Sequence, residues 1–121
     1  MKAILDTNFL LIPAKFKVDI FFELRKLGVI DYYTIDSVIK ELESLSKSSG
    51  AVKGEAILAL KLVKLKEVKI LKSQEIKVDK ELLRLSAVYT VCTQDRELIK
   101  KISSSGAKTI SLRQGKYLKE S

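Results

Sequence analysis

The 121-residue chain contains no histidine and only one cysteine, Cys92. Without histidine, neither a Ser-His-Asp triad nor a zinc site built on imidazole can form. A single cysteine excludes an internal disulfide and a Cys-x-x-Cys redox or metal pair. Any chemistry must therefore come from carboxylates, hydroxyls, lysines and backbone groups.

The chain also lacks a long apolar run. No segment approaches the roughly 20 consecutive apolar residues that a membrane-spanning helix needs. The sequence opens directly on a strand-like segment, Lys2–Leu5, and not on the charged and apolar regions of a signal peptide. Together with the single thiol, these absences predict a cytoplasmic protein.

Acidic residues are outnumbered, with 15 Asp and Glu against 23 Lys and Arg, a formal net charge of +8. Such an excess predicts attraction to polyanions, among which nucleic acid is the commonest. A lysine-rich solvated surface, as in proteins of heat-loving organisms, explains the same excess. Composition alone leaves both interpretations open.

Strand and helix patterns alternate along the chain. Strands are predicted at 3–5, 32–35, 68–71, 88–93 and 108–112, and helices at 18–27, 36–46, 53–66, 79–87 and 95–104. Five strands with intervening helices predict an α/β fold, a three-layer α/β/α sandwich around a central, mostly parallel sheet. Residues 1–112 are predicted to form this domain, and residues 113–121 a basic C-terminal tail.

Acidic residues follow the predicted strands, where the sites of open parallel sheets lie. Asp6 follows the first strand and Asp36 the second, with Glu41 about one helical turn further on; Asp79 and Asp95 come after the third and fourth. Asp36, Asp79 and Asp95 can also be read as helix caps and Glu41 as a solvated residue, and for Asp36 the cap is the favoured reading. Asp6 is the hardest to explain in this way, because it ends a core strand. Clustered carboxylates repel one another unless a cation lies between them, and oxygen ligands alone select Mg²⁺ or Mn²⁺. The pattern indicates metal-dependent hydrolysis of phosphodiester bonds.

Three segments resemble the landmarks of PIN-domain nucleases, in the expected order over nearly the whole chain. They are Ile-Leu-Asp-Thr-Asn at 4–8, Ser-Val-Ile-Lys-Glu-Leu at 37–42 and Thr-Gln-Asp-Arg-Glu-Leu at 93–98. With the segment 110–117, the chain is most similar to small archaeal relatives of the eukaryotic PIN endonuclease of small-subunit ribosomal RNA maturation. Toxins of the VapC kind are a more distant resemblance. The family implies an Mg²⁺- or Mn²⁺-dependent endoribonuclease with a metal-activated water, and rRNA processing as its setting.

The resemblance also implies roles for individual residues. The metal ligands and catalytic residues would be Asp6, Glu41, Asp79 and Asp95. Asn8 would hold the turn or contact the site, and Thr93 would supply a nearby hydroxyl.

The third acidic motif departs from the family pattern. Relatives begin this helix with Asp-Asp-Ala-Ile, whereas residues 78–82 read Val-Asp-Lys-Glu-Leu. Lys80 stands where the second aspartate would be, and Glu81 is the alternative ligand to Asp79. A lysine at this position predicts weakened metal binding or lost catalysis, and with it an RNA-binding scaffold as the alternative function. A VapC-type toxin, which would need an antitoxin partner, is the third.

Two further features bear on partners. The basic residues predicted to form an RNA-binding rim are Lys100, Lys101, Lys108, Arg113, Lys116 and Lys119, with Tyr117 available for stacking. A solvated surface accounts for most of them equally well. The helix at 53–66 is apolar around much of its circumference, which predicts either deep burial or the surface of a homodimer.

Overall fold

A computed structural model describes all 121 residues, which form six strands and seven helices. The strands are β1 (Lys2–Leu5), β2 (Asp31–Ile35), β3 (Lys69–Leu71), β4 (Thr90–Cys92), β5 (Thr109–Arg113) and β6 (Tyr117–Glu120). The helices are α1 (Thr7–Leu10), α2 (Ile12–Phe16), α3 (Ile20–Lys26), α4 (Asp36–Ser46), α5 (Ala51–Leu65), α6 (Val78–Leu85) and α7 (Arg96–Ser104). None of the helices is long and apolar enough to span a membrane.

The strands form one sheet in the order β3-β2-β1-β4-β5-β6. Strands β1 to β5 are parallel and β6 is antiparallel to β5. The chain therefore starts at the centre, builds outward to β3 and then returns to the other side of β1. In sheets of this kind the strand order reverses beside the first strand, and ligands bind at the carboxyl ends of the strands there.

The sheet is covered on both faces. Ala3, Ile4 and Leu5 are consecutive in β1, so their side chains point to alternate faces, and all three are 0 % exposed. Their burial requires helices on both sides, which confirms the predicted α/β/α layers around a mostly parallel sheet. Cys92 in β4 is equally buried, and burial raises the pKa of its thiol, as expected for an inert packing residue.

Two short helices, α1 and α2, lie between the first predicted strand and the first predicted helix, where no helix was predicted. Pro13 lies in the first turn of α2 and leaves the helix intact, because that position needs no backbone N–H donor. Leu10, Leu11 and Ile12 are buried where the two helices meet. Four- and five-residue helices are too short to show a helical period in sequence.

The predicted basic tail is part of the sheet. After a turn in which Gln114 and Gly115 both have positive φ, β6 pairs with β5 and places Leu118 opposite Leu112. The sheet thus has six strands where five were predicted. Lys119 and Glu120 follow Leu118 on this edge strand, and charged residues on an edge limit pairing with other chains.

Leu118→Ala should lower the free energy of unfolding by about 2–3 kcal/mol, because a buried leucine leaves a cavity when truncated. Leu118 is only 5 % exposed. Urea denaturation monitored by circular dichroism measures the change, and Lys119→Ala on the exposed face of the same strand is the control. Equal stability of the two variants would mean that residues 117–120 do not belong to the folded core.

Candidate active site

Four carboxylates line one cleft of about 440 Å³ at the carboxyl edge of the sheet. The lining consists of Asp6, Thr7, Asn8, Leu11, Glu41, Leu45, Val78, Asp79 and Asp95. These include all four acids predicted as metal ligands. No lysine or arginine lines the cleft, although the chain carries a net charge of +8. We call it the acid cleft.

Asp6 is the most buried of these acids, with 7 % of its surface exposed. One carboxylate oxygen accepts a hydrogen bond from the Thr7 N–H at 2.8 Å, and the other accepts one from the Thr93 hydroxyl at 2.8 Å. Burial raises the pKa of Asp6, the charges of Asp79 and Glu41 add to the increase, and the two hydrogen bonds oppose it. The acid cleft thus places a buried carboxylate near other acids, with no lysine or arginine among the lining residues.

Asn8 and Thr93 hold the loop that carries Asp95. The Asn8 side-chain oxygen accepts from the Gln94 N–H at 3.1 Å, and the Thr93 hydroxyl oxygen accepts from the Asp95 N–H at 3.1 Å. Asp95 is also the N-cap of α7, because its Oδ1 accepts from the N–H groups of Glu97 and Leu98. The helix-cap interpretation of Asp95 and its place in the acid cleft are thus compatible.

Glu41 reaches the cleft from α4. The Thr7 hydroxyl donates to Glu41 Oε1 at 2.6 Å, which ties the start of α1 to α4. Glu41 is exposed, so its side chain can change rotamer without disturbing the core.

The two acids of the third motif, Asp79 and Glu81, have different roles in the structure. Asp79, in the first turn of α6, lines the acid cleft. Glu81 does not: it is 0 % exposed and accepts from the Gln74 N–H at 2.9 Å, the Glu75 N–H at 3.3 Å and the Arg84 side chain. The hydrogen bond from Arg84 lowers the pKa of Glu81. Glu81 is therefore wrong as the alternative ligand, and it anchors the loop before α6 instead.

Asp36 is likewise used to anchor that loop, and the cap prediction for it is wrong. It is the first residue of α4, and its carboxylate accepts hydrogen bonds from both the N–H and the hydroxyl of Ser73. These bonds lower the pKa of Asp36. Lys80, which occupies the motif position of an aspartate, is exposed and does not line the acid cleft.

The side chains as placed contain no group of three or more metal-ligating residues that could hold one ion. The donor set nevertheless fits a hard divalent cation: it is made of oxygens, it includes a carboxylate whose pKa is raised by burial and, to a smaller extent, by neighbouring charges, and no lysine or arginine lines the cleft to compete. Glu41 and Asp79 are exposed. Exposed side chains change rotamer readily, so packing does not fix the positions of these two carboxylates.

Only some of the predicted RNA-binding residues lie together in the structure. Lys100 and Arg113 line a second cleft, beside the acid cleft, together with Arg96, which the sequence analysis did not single out. Lys101 and Lys116 are exposed and line neither cleft. Lys108 forms an ion pair with Glu120 at 3.5 Å. A clue to Arg96 was its place one helical turn before Lys100 in α7.

The long helix α5 is buried on one face and exposed on another, so the deep burial predicted for it holds for one face only. Ala56, Ala59 and Val63 are buried, whereas Ile57 and Leu58 are each 38 % exposed and Leu65 is 73 % exposed. One face therefore packs in the core and another presents apolar surface. Its use as a homodimer surface stays a prediction.

An open parallel sheet with an acid-lined cleft at the ends of its central strands defines an α/β domain suited to binding a divalent cation. A family model described as "PIN like domain" matches residues 3–115. The chain belongs to this family, and its resemblance to PIN-domain nucleases is confirmed.

Comparison with solved structures confirms the fold. The structure of the PIN domain endonuclease Utp24 is similar with a TM-score of 0.80 and 23% identity, over 98% of this chain and 90% of that one. A domain of a functionally unknown protein from Methanocaldococcus jannaschii DSM 2661 is similar with a TM-score of 0.62 and 15% identity, over 93% and 91% of the two chains. No curated protein sequence matches the chain.

Glu81→Gln should loosen the loop before α6 by removing the charge that holds its backbone. Amide hydrogen exchange at Gln74 and Glu75 should accelerate about tenfold or more, since hydrogen bonds to charged groups are the stronger ones. Glu43→Gln, the same chemical change on an exposed residue of α4, is the control. Unchanged exchange in Glu81→Gln would contradict the anchoring role.

Asp6→Asn should raise the melting temperature of the metal-free protein at neutral pH. The raised pKa means that the folded state binds the Asp6 proton more tightly than the unfolded state, whose reference value is 3.8. Ionisation of Asp6 therefore costs stability as pH rises through its folded pKa, and the cost vanishes below about pH 4. Asparagine retains the shape without the charge.

Thermal unfolding in EDTA at several pH values measures this difference. The gap between Asp6→Asn and wild type should open as pH rises from acidic to neutral, while Glu43→Gln, an exposed change on α4, tracks wild type. An asparagine variant less stable than wild type at neutral pH would show that the carboxylate is not strained in the metal-free protein.

Proposed function

We propose that this protein is a metal-dependent endoribonuclease that hydrolyses RNA phosphodiester bonds. The observation that carries the proposal is the acid cleft of a strongly basic chain. It is lined by Asp6, Glu41, Asp79 and Asp95 and by no lysine or arginine. Family membership supports nuclease chemistry, and the net charge supports a polyanionic substrate. The ion would be Mg²⁺ or Mn²⁺, which oxygen ligands favour.

The four carboxylates would hold the ion, with Asp6 as the fixed ligand and the other three completing the site. A divalent cation bound there would activate a water and stabilise the charge that develops on the phosphate. Thr93 and the Thr7 N–H keep the Asp6 carboxylate in one orientation. Asn8 keeps the loop of Asp95 at the cleft. The expected products carry a 3′-hydroxyl and a 5′-phosphate.

Structured ribosomal RNA is the first substrate to test. The motifs resemble those of relatives of a small-subunit rRNA endonuclease, and the similar solved structure of Utp24 is that of a PIN domain endonuclease. A cytoplasmic location fits this role and stays a prediction.

A second candidate is an RNA-binding scaffold whose activity is weakened. It is favoured by the arrangement of the carboxylates, no three of which are placed to share one ion, and by Lys80 in the third motif. A VapC-type toxin with an antitoxin partner rests on the more distant resemblance alone.

Cleavage of an end-labelled structured RNA by wild type and by Asp6→Asn, Asp79→Asn and Asp95→Asn tests the proposal. Wild type should cut with Mn²⁺ or Mg²⁺ and not with EDTA. Each variant should lose at least about 100-fold in rate, since even indirect disturbance of metal ligands costs 10–100-fold. Glu43→Gln, which is exposed and lines neither cleft, should retain the wild-type rate.

The outcomes separate the candidates. Equal cutting by wild type and Asp6→Asn would contradict the proposed site and indicate a contaminating nuclease. No cutting by wild type, with RNA binding that does not depend on Mg²⁺, would favour the scaffold. In that case Lys80→Asp, which restores the family pattern, tests whether this lysine accounts for the lost activity.

A further inference from the structure

Three cations surround a second cleft next to the acid cleft. Arg96 and Lys100 lie on α7, and Arg113 is the last residue of β5. They enclose a volume of about 340 Å³, and no carboxylate lines it. We call it the basic cleft.

The cations of the basic cleft are not used for internal ion pairs. Five pairs occur elsewhere in the chain, and none involves Arg96, Lys100 or Arg113. Arg113 makes one side-chain hydrogen bond, to the Ser121 hydroxyl at 3.3 Å. Like charges gathered without a partner repel one another, so their placement favours binding of an anion.

The uncharged polar groups of the basic cleft add hydrogen-bond donors. The Gln94 side-chain oxygen accepts from the Leu112 N–H at 2.7 Å, which leaves the Gln94 amide NH₂ as the available group. The Ser111 hydroxyl also lines the cleft. A cleft lined by cations, an amide NH₂ and a hydroxyl suits the oxygens of a phosphate.

One short loop separates the two clefts. Asp95 lines the acid cleft, its neighbour Gln94 lines the basic cleft, and Cα atoms of consecutive residues are about 3.8 Å apart. The two clefts therefore adjoin, and a single RNA strand crossing this loop would place linkages in both.

We propose that Arg96, Lys100 and Arg113 bind a backbone phosphate of the RNA strand close to the linkage that lies in the acid cleft. This inference rests on the proposed function for the position of the cleaved linkage, but the binding itself does not require cleavage. The basic cleft would thereby set the register of the strand over the carboxylates. Phosphate contacts of this kind position a nucleic acid without reading its sequence.

The test compares two variants that remove the same charge. Arg96→Gln/Lys100→Gln/Arg113→Gln changes the basic cleft, and Lys53→Gln/Lys61→Gln/Lys64→Gln changes three exposed lysines of α5 that line neither cleft. Fluorescence anisotropy with a labelled single-stranded RNA in EDTA gives Kd at several salt concentrations. The first variant should bind about tenfold more weakly and lose about 0.7 from the log–log salt slope, the value for one phosphate contact on a single strand. The second should keep the wild-type slope.

A second arm tests for an internal backbone phosphate. Neutral methylphosphonate linkages, placed one at a time along the RNA, should weaken binding to wild type at one position and have no further effect there on the basic-cleft variant. Displacement of the RNA by inorganic phosphate at constant ionic strength, with no sensitive linkage in the scan, would assign the cleft to free phosphate and overturn the proposal. Equal Kd values for the two triple variants would also overturn it.

Cleavage assays keep this inference distinct from the proposed function. If wild type fails to cut RNA but binding depends on the basic cleft, the nuclease proposal fails and the phosphate site stands. If wild type cuts and the basic-cleft variant binds and cuts at the wild-type rate and position, the phosphate site fails and the nuclease stands.

Discussion

The burial of the Asp6 carboxylate at the end of the central strand is the constraint on which the candidate site depends. The Asp6 N–H continues the sheet ladder by donating to the Cys92 carbonyl at 3.0 Å, so the backbone there is fixed by the core. Its side chain then organises Thr7 and Thr93, and through them the loop of Asp95. A charge that folding alone would disfavour is thus kept in place by a rigid surrounding, as is common at functional sites.

Much of this arrangement could be predicted from local sequence. Uncharged runs such as 3–5 in β1 and 90–92 in β4 predict a parallel sheet buried on both faces, and an acid directly after such a run has few structural explanations. The same local patterns therefore predict both the carboxyl edge of the sheet and the carboxylates that lie on it. The same local reasoning missed α1, α2 and β6, since Leu118 is recognisable as a core residue only once it lies opposite Leu112.

The third motif shows why the choice between neighbouring acids needed the structure. Asp79 and Glu81 are two residues apart on α6, and such residues point to different sides of a helix, so only one can face the cleft. Sequence gives no rule for which one. The choice is made by Arg84 and by the backbone of Gln74 and Glu75, which together satisfy the Glu81 carboxylate. The anchoring role of Asp36 could not be predicted either, because its hydrogen-bond partner Ser73 is distant in sequence.

Acidic and basic side chains are sorted into two adjoining clefts, the acid cleft and the basic cleft. The net positive charge attracts a polyanion from afar, yet the acid cleft repels the same polyanion at contact. A divalent cation in the acid cleft would remove that repulsion, so cation and RNA would each strengthen the binding of the other, by the same factor in both directions. The proposed phosphate site in the basic cleft would not have this requirement. With both sites, a strand would be held first by the basic cleft and would engage the carboxylates only where a cation is bound.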